Sequence, residues 1–157
     1  MIWKLTAAAV GLALASSAVF AASHGGGPFD AAIKARQAHM QLYAHNLGIL
    51  GGMAKGAMDY NADLATVAAT NLATLATLNQ MTYWPEGSDS FDNENTAALP
   101  KIWDNFPDVA KKGQALAEAT AAMQAAAGNG LDALRAAIGP VGEACGACHK
   151  AYRKPKE

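Results

Sequence analysis

Two cysteines in 157 residues are too few to staple a fold, so packing must hold the chain together. Charged side chains make up 16% of the residues and balance to −1, which excludes the basic surface that nucleic-acid binding requires. No stretch alternates apolar and polar residues long enough to suggest a strand, and no solenoid-type repeat is visible. Past residue 21 no apolar run is long and charge-free enough to cross a bilayer, which takes about 20 residues. The length suits one domain around one core.

What is present begins with a leader. MIWKLTAAAVGLALASSAVFA carries one basic residue, Lys4, then an uncharged apolar run from Leu5 to Phe20. Val19 and Ala21 fit the −3 and −1 positions of a signal-peptidase site, which predicts cleavage after Ala21 and a mature domain of residues 22–157. The run is short for a membrane anchor. Export without an anchor places the mature protein in the bacterial periplasm. Removing Lys4 from the 12 basic residues leaves 11 against 13 acidic ones, a mature charge of −2.

Helical periodicity dominates the rest. From about residue 30 to 56, Ile33, Met40, Tyr43, Leu47 and Leu50 form one stripe, with Arg36 on it where a core residue is expected. Asn61 is a natural N-cap for a second helix reaching to about Tyr83, with Leu64, Val67 or Ala68, Leu75 and Leu78 facing inward; Trp84-Pro85 stops it. Residues 86–96 read as an acidic loop containing Glu86, Asp89, Asp92 and Glu94. A short helical piece follows over 99–106, and Pro107 restarts a helix that runs to Ala127. The last helix, 131–153, has a seam of Leu131, Leu134, Ile138, Val141, Cys145, Cys148 and Tyr152, with Gly139-Pro140 expected to kink it. Four amphipathic segments with mostly short connections predict an all-α, antiparallel four-helix bundle.

Cys145-Gly146-Ala147-Cys148-His149 carries the chemistry. This spacing is the attachment signature of c-type haem: two thiols add to the vinyl groups, and the adjacent imidazole ligates iron. On a helix Cys145 lies one turn from both Cys148 and His149, so all three reach one cofactor. Other chemistries fit less well. A disulfide between the two cysteines closes a very small loop against helical geometry. A thioredoxin-type site needs a βαβ setting, and a zinc site needs a fourth ligand.

The motif and its continuation, Lys150-Ala151-Tyr152-Arg153, together with Arg36-Gln37-Ala38-His39-Met40 and Met53-Ala54-Lys55-Gly56, resemble the cytochrome c′ family, the class II c-type cytochromes. The resemblance spans essentially the whole mature chain. It implies a bundle enclosing one covalently bound haem c, with His149 as proximal iron ligand and Tyr152 and Arg153 flanking the proximal face. Met40 matches the position facing the distal side, where some members bind iron and others only block it. A thioether is soft and raises the reduction potential as an axial ligand. His39 and His45 are expected to point away from Met40, at solvated or rim positions. Arg36, one turn before Met40, is expected to pair with a haem propionate.

The function so implied is single-electron transfer, with no substrate transformed. The alternative is a five-coordinate haem protein that binds nitric oxide or carbon monoxide. A redox protein is the expected partner, with the basic turn of Lys150, Arg153, Lys154 and Lys156 as a docking surface for an acidic one. Family members often dimerise through their first two helices, and the alanine-rich second helix here permits such packing.

Overall fold

The computed structural model describes residues 27–155, so the leader at 1–21 lies outside the described residues. Five α-helices follow in order: α1 Asp30–Ala54, α2 Ala62–Thr77, α3 Lys101–Asp104, α4 Phe106–Ala126 and α5 Leu131–Tyr152. The long helices form a ring in which α1 packs on α2, α2 on α4, α4 on α5 and α5 back on α1. This is the expected four-helix bundle, with α3 as a short appendage to α4. Among the described residues the only β pairing is an isolated bridge between Ala98 and Arg153.

Local signals set most of the ends. Asn61 caps α2 by accepting a hydrogen bond from the Leu64 amide at 2.9 Å. Pro107 sits in the first turn of α4, where its missing N–H leaves no partner unmet. Pro140 lies inside α5, and the helix continues through it to Tyr152. Helix α2 stops at Thr77, six residues before the expected end at Tyr83. Leu78 is already extended, the Asn79 side chain accepts from the Met81 amide at 3.0 Å, and Met81–Tyr83 form one 3-10 turn. An asparagine that satisfies its own backbone competes with helix propagation, and here it wins.

The core joins Leu50 and Met53 of α1, Leu72 of α2, Met123 of α4, and Leu134 and Val141 of α5. On α2 the inward face is the expected one only in part, at Ala68 and Leu75. Ala65, Ala68, Ala69, Leu72, Ala73 and Leu75 are buried, whereas Leu64, Val67 and Leu78 are exposed. Alanine brings the neighbouring backbones close, and dense contact replaces bulk as the reason for burial. The closest approach is at Gly128, where an added Cβ would lie 2.5 Å from the Thr66 hydroxyl.

Tyr60 ties the two loops at this end of the bundle together. Its hydroxyl donates to the Ala127 carbonyl at 2.9 Å and accepts from the Gly130 amide at 2.9 Å. Gly130 has a φ of 110°, a backbone region that side-chain-bearing residues rarely enter, so the turn into α5 depends on both the glycine and this bond. Tyr60→Phe strands one donor and one acceptor and is expected to lower unfolding stability by about 1–3 kcal/mol. Denaturant titration measures it, and an unchanged midpoint would show that water replaces the hydroxyl.

Candidate haem cleft

Helix α5 delivers Cys145, Cys148 and His149 to one side of the bundle. Both thiols are free and half-buried. Burial pushes each thiol up from its ordinary value, so both remain neutral S–H groups near pH 7. His149 is shifted the other way, first by burial and then by the nearby Arg153 charge. A neutral imidazole keeps the nitrogen lone pair that a metal needs.

These side chains line a cleft between α1, α4 and α5, with two compartments. The wider, about 720 Å³, is lined by Arg36, Gln37, Met40, Trp84, Cys148, His149, Tyr152 and Arg153 among others. The narrower, about 390 Å³, extends past Tyr43, Leu47, Leu116 and Cys145. Met40, Ala44, Trp84, Val109, Cys148 and His149 border both. Among the described residues no carboxylate lines either compartment. Two thiols and an imidazole on one wall of an apolar space fit a flat, hydrophobic macrocycle attached through its edge.

Helix α1 supplies the opposite wall, in a register that the stripe only partly anticipates. Its buried side chains are Ile33, Arg36, His39, Tyr43, Asn46, Leu50 and Met53. Met40 lies beside this seam and is 37% exposed because it faces the cleft. His39, expected at a solvated or rim position, is instead 4% exposed. It packs edge-on against Tyr43, with ring centres 4.8 Å apart, and lies 5.9 Å from Tyr83. Burial lowers its pKa against a backbone hydrogen bond to Leu75, and its Nε2 has no partner. His45 is exposed, as expected. Neither histidine lines the cleft.

Arg36 borders the cleft, but protein groups hold it. Nη1 donates to the Tyr83 carbonyl at 3.1 Å and the Ser88 hydroxyl at 2.7 Å; Nη2 donates to the Ser88 carbonyl and to the Thr96 hydroxyl at 2.9 Å. The guanidinium also lies 4.9 Å from the centre of the Trp84 ring. Four of its five N–H donors are thus spent on the 83–96 loop, where a propionate was the expected partner. A periodicity argument places Arg36 on the seam but cannot see a loop some fifty residues away.

The chain end closes the rim. Lys154 N–H donates to the Ala97 carbonyl at 2.8 Å and Leu99 N–H to the Tyr152 carbonyl at 2.9 Å, which fixes the backbone around Arg153. The Arg153 side chain is exposed and borders the wider compartment. Trp84, Asp108 and Lys112 join the site without having been singled out beforehand. Proline after Trp84 marked it as a helix stop rather than a wall, and the residues of α4 carry no motif.

Asp108 anchors the end of α5. It accepts from the Tyr152 hydroxyl at 2.6 Å, with Lys112 Nζ 3.5 Å away. The hydrogen bond from Tyr152 is the main reason that the carboxyl titrates below its ordinary 3.8, with Lys112 adding to it, while the same bond pushes the Tyr152 phenol up to about 12. A depressed carboxyl pKa stabilises the fold above the ordinary value, and this contribution is lost as pH falls through the folded value. Asp108→Asn is therefore expected to be less stable than wild type at about pH 7, with the gap closing as pH falls below the ordinary carboxyl value. Urea unfolding across that range checks it, and a gap independent of pH would count against the ionic contribution.

Comparison with known proteins agrees with this geometry. Residues 31–153 match the family described as Cytochrome C′. The chain is 45% identical over 122 residues to cytochrome c-554 of Cereibacter sphaeroides, covering 78% of this chain and 80% of that one. Among solved structures, a cytochrome c′ from Rhodobacter sphaeroides superposes with a TM-score of 0.78 at 36% identity, covering 80% of this chain and 97% of that one. A ferrous cytochrome c′ variant from Alcaligenes xylosoxidans with bound NO superposes with a TM-score of 0.69 at 34% identity, covering 80% and 94%. The chain belongs to the cytochrome c′ family and is a haem c protein, its cofactor held covalently.

Proposed function

We propose that this protein is a periplasmic single-electron carrier in which Cys145 and Cys148 hold the haem by thioether bonds, His149 is the proximal iron ligand and Met40 the distal one. One observation carries the reading. Among the described residues Met40 is the only thioether lining the cleft, and it borders the same two compartments as His149 from the facing helix. The bound haem supplies one-electron chemistry at its iron, and no substrate is transformed. Met40 presents a neutral, polarisable sulfur that favours the ferrous state. Trp84 and Val109 line both compartments beside Met40 and add apolar surface around it. Burial, and after it the Arg153 charge, discourages protonation of His149, which keeps the imidazole a ligand.

The leader, residues 1–21, supports the periplasmic location. No helix of the described residues is long and apolar enough to cross a membrane. Lys150, Arg153 and Lys154 are exposed beside the cleft and suit an acidic redox partner. Exposed Leu42 on α1 and Leu64 and Val67 on α2 suit a homodimer through the first two helices.

A second reading has Met40 covering the iron without binding it, so that nitric oxide or carbon monoxide occupies the site. The Alcaligenes xylosoxidans relative with bound NO favours it. Absorption spectra of the oxidised and reduced holoprotein separate the two. The carrier shows a low-spin spectrum with the weak sulfur-to-iron charge-transfer band, and Met40→Ala loses that band and gains carbon monoxide binding. A high-spin wild-type spectrum sinks methionine ligation and leaves the gas-binding reading. Attachment is read separately: Cys145→Ala with Cys148→Ala is expected to lose the haem stain on a denaturing gel.

A further inference from the structure

Arg36 is 3% exposed, and every group bonded to it is a neutral carbonyl or hydroxyl. The ion pairs of the described residues, Lys112 with Asp108 and Arg135 with Asp132, do not include it. The opposing charge that acts on Arg36 is Asp89, itself 7% exposed, through space rather than by an ion pair. Asp89 turns its own Oδ1 to the Phe91 amide at 2.7 Å. The hold on Arg36 is itself braced, since the Ser88 hydroxyl that accepts from Arg36 donates in turn to the Pro85 carbonyl at 2.7 Å. A guanidinium does not lose its proton in a protein, so burial leaves a fixed positive charge on the cleft wall.

That charge lies one helical turn before Met40, where side chains three or four positions apart are neighbours, about 5–6 Å between Cβ atoms. Reduction lowers the charge at iron by one. A fixed cation in a poorly screened position favours the reduced state, and a fixed anion favours the oxidised state. From this arrangement we propose that Arg36 and Asp89 are opposed positioning charges that set the reduction potential, Arg36 raising it and Asp89 lowering it. The inference rests on the redox function proposed above. The spectrum of each variant reports the iron ligands independently of its potential.

Spectroelectrochemical titration of the holoprotein provides the test. Arg36→Gln is expected to lower the ratio of reduced to oxidised protein at fixed ambient potential by threefold to tenfold, a tenfold change being 59 mV for one electron. Arg36→Lys keeps the charge and is expected to retain most of the wild-type ratio. Asp89→Asn preserves the acceptor for the Phe91 amide and is expected to shift the ratio the other way. A merely structural role moves both neutral variants in the same direction or changes neither potential, and either result overturns the proposal. If Arg36→Gln fails to retain haem, Asp89→Asn decides: a raised potential supports the pair of charges, and an unchanged one overturns it.

Discussion

The register of α5 governs the rest of the bundle. Cys145, Cys148 and His149 serve one cofactor only if they leave the helix on one side, and a spacing of three and four residues achieves this. The same side must border a cleft rather than a packed core, which is why Leu134 and Val141 are fully buried while the two cysteines are only half so. The N-terminal part of α5 therefore builds the core, and its C-terminal part builds the site. Tyr152 marks the far limit of that opening: it is buried again, bonded to Asp108, and it returns the helix end to the protein.

An open cleft on one side requires the other faces to be packed closely, and α2 meets that requirement. Its alanine face brings α1 and α4 near enough for Leu72 and Met123 to fill the core between them. Asn46 and Asn71 add a polar link between α1 and α2 at 3.0 Å, with Asn46 buried on the α1 seam. Such a pair specifies how the two helices slide against each other better than apolar contact does. The position of α1 follows, and with it the placement of Met40 and Arg36 on the cleft wall.

Much of this was legible in the residues. The haem motif, the Asn61 cap, the Pro107 start of α4 and the core seam of α5 each rest on local chemistry that neighbouring side chains do not override. Periodicity weighted by side-chain bulk held on α2 at Leu75, and at Ala68 as the alternative to Val67, but it failed at Leu64 and Leu78 because it overlooks alanines that are buried for being small. It was only partly right on α1. Arg36, Tyr43 and Leu50 are buried as their spacing suggests, yet His39 rather than Met40 continues the seam. The partner of Arg36 was illegible for a different reason: Ser88 and Thr96 belong to a loop whose path depends on tertiary contacts.

The departure of Met40 from the seam bears on its role. A methionine on the seam would be held on all sides by helix neighbours, with its sulfur committed to packing. Met40 instead rises from a rigid base, with Arg36 latched one turn before it and Tyr43 buried one turn after it. The backbone is fixed while the thioether stands open to the cleft. That combination serves a ligand that must meet iron at one place, and it serves equally a gate that must swing aside for a diatomic gas. On the reading proposed above, the choice between carrier and gas binder rests on this one position, because the backbone that holds Met40 is fixed in either case.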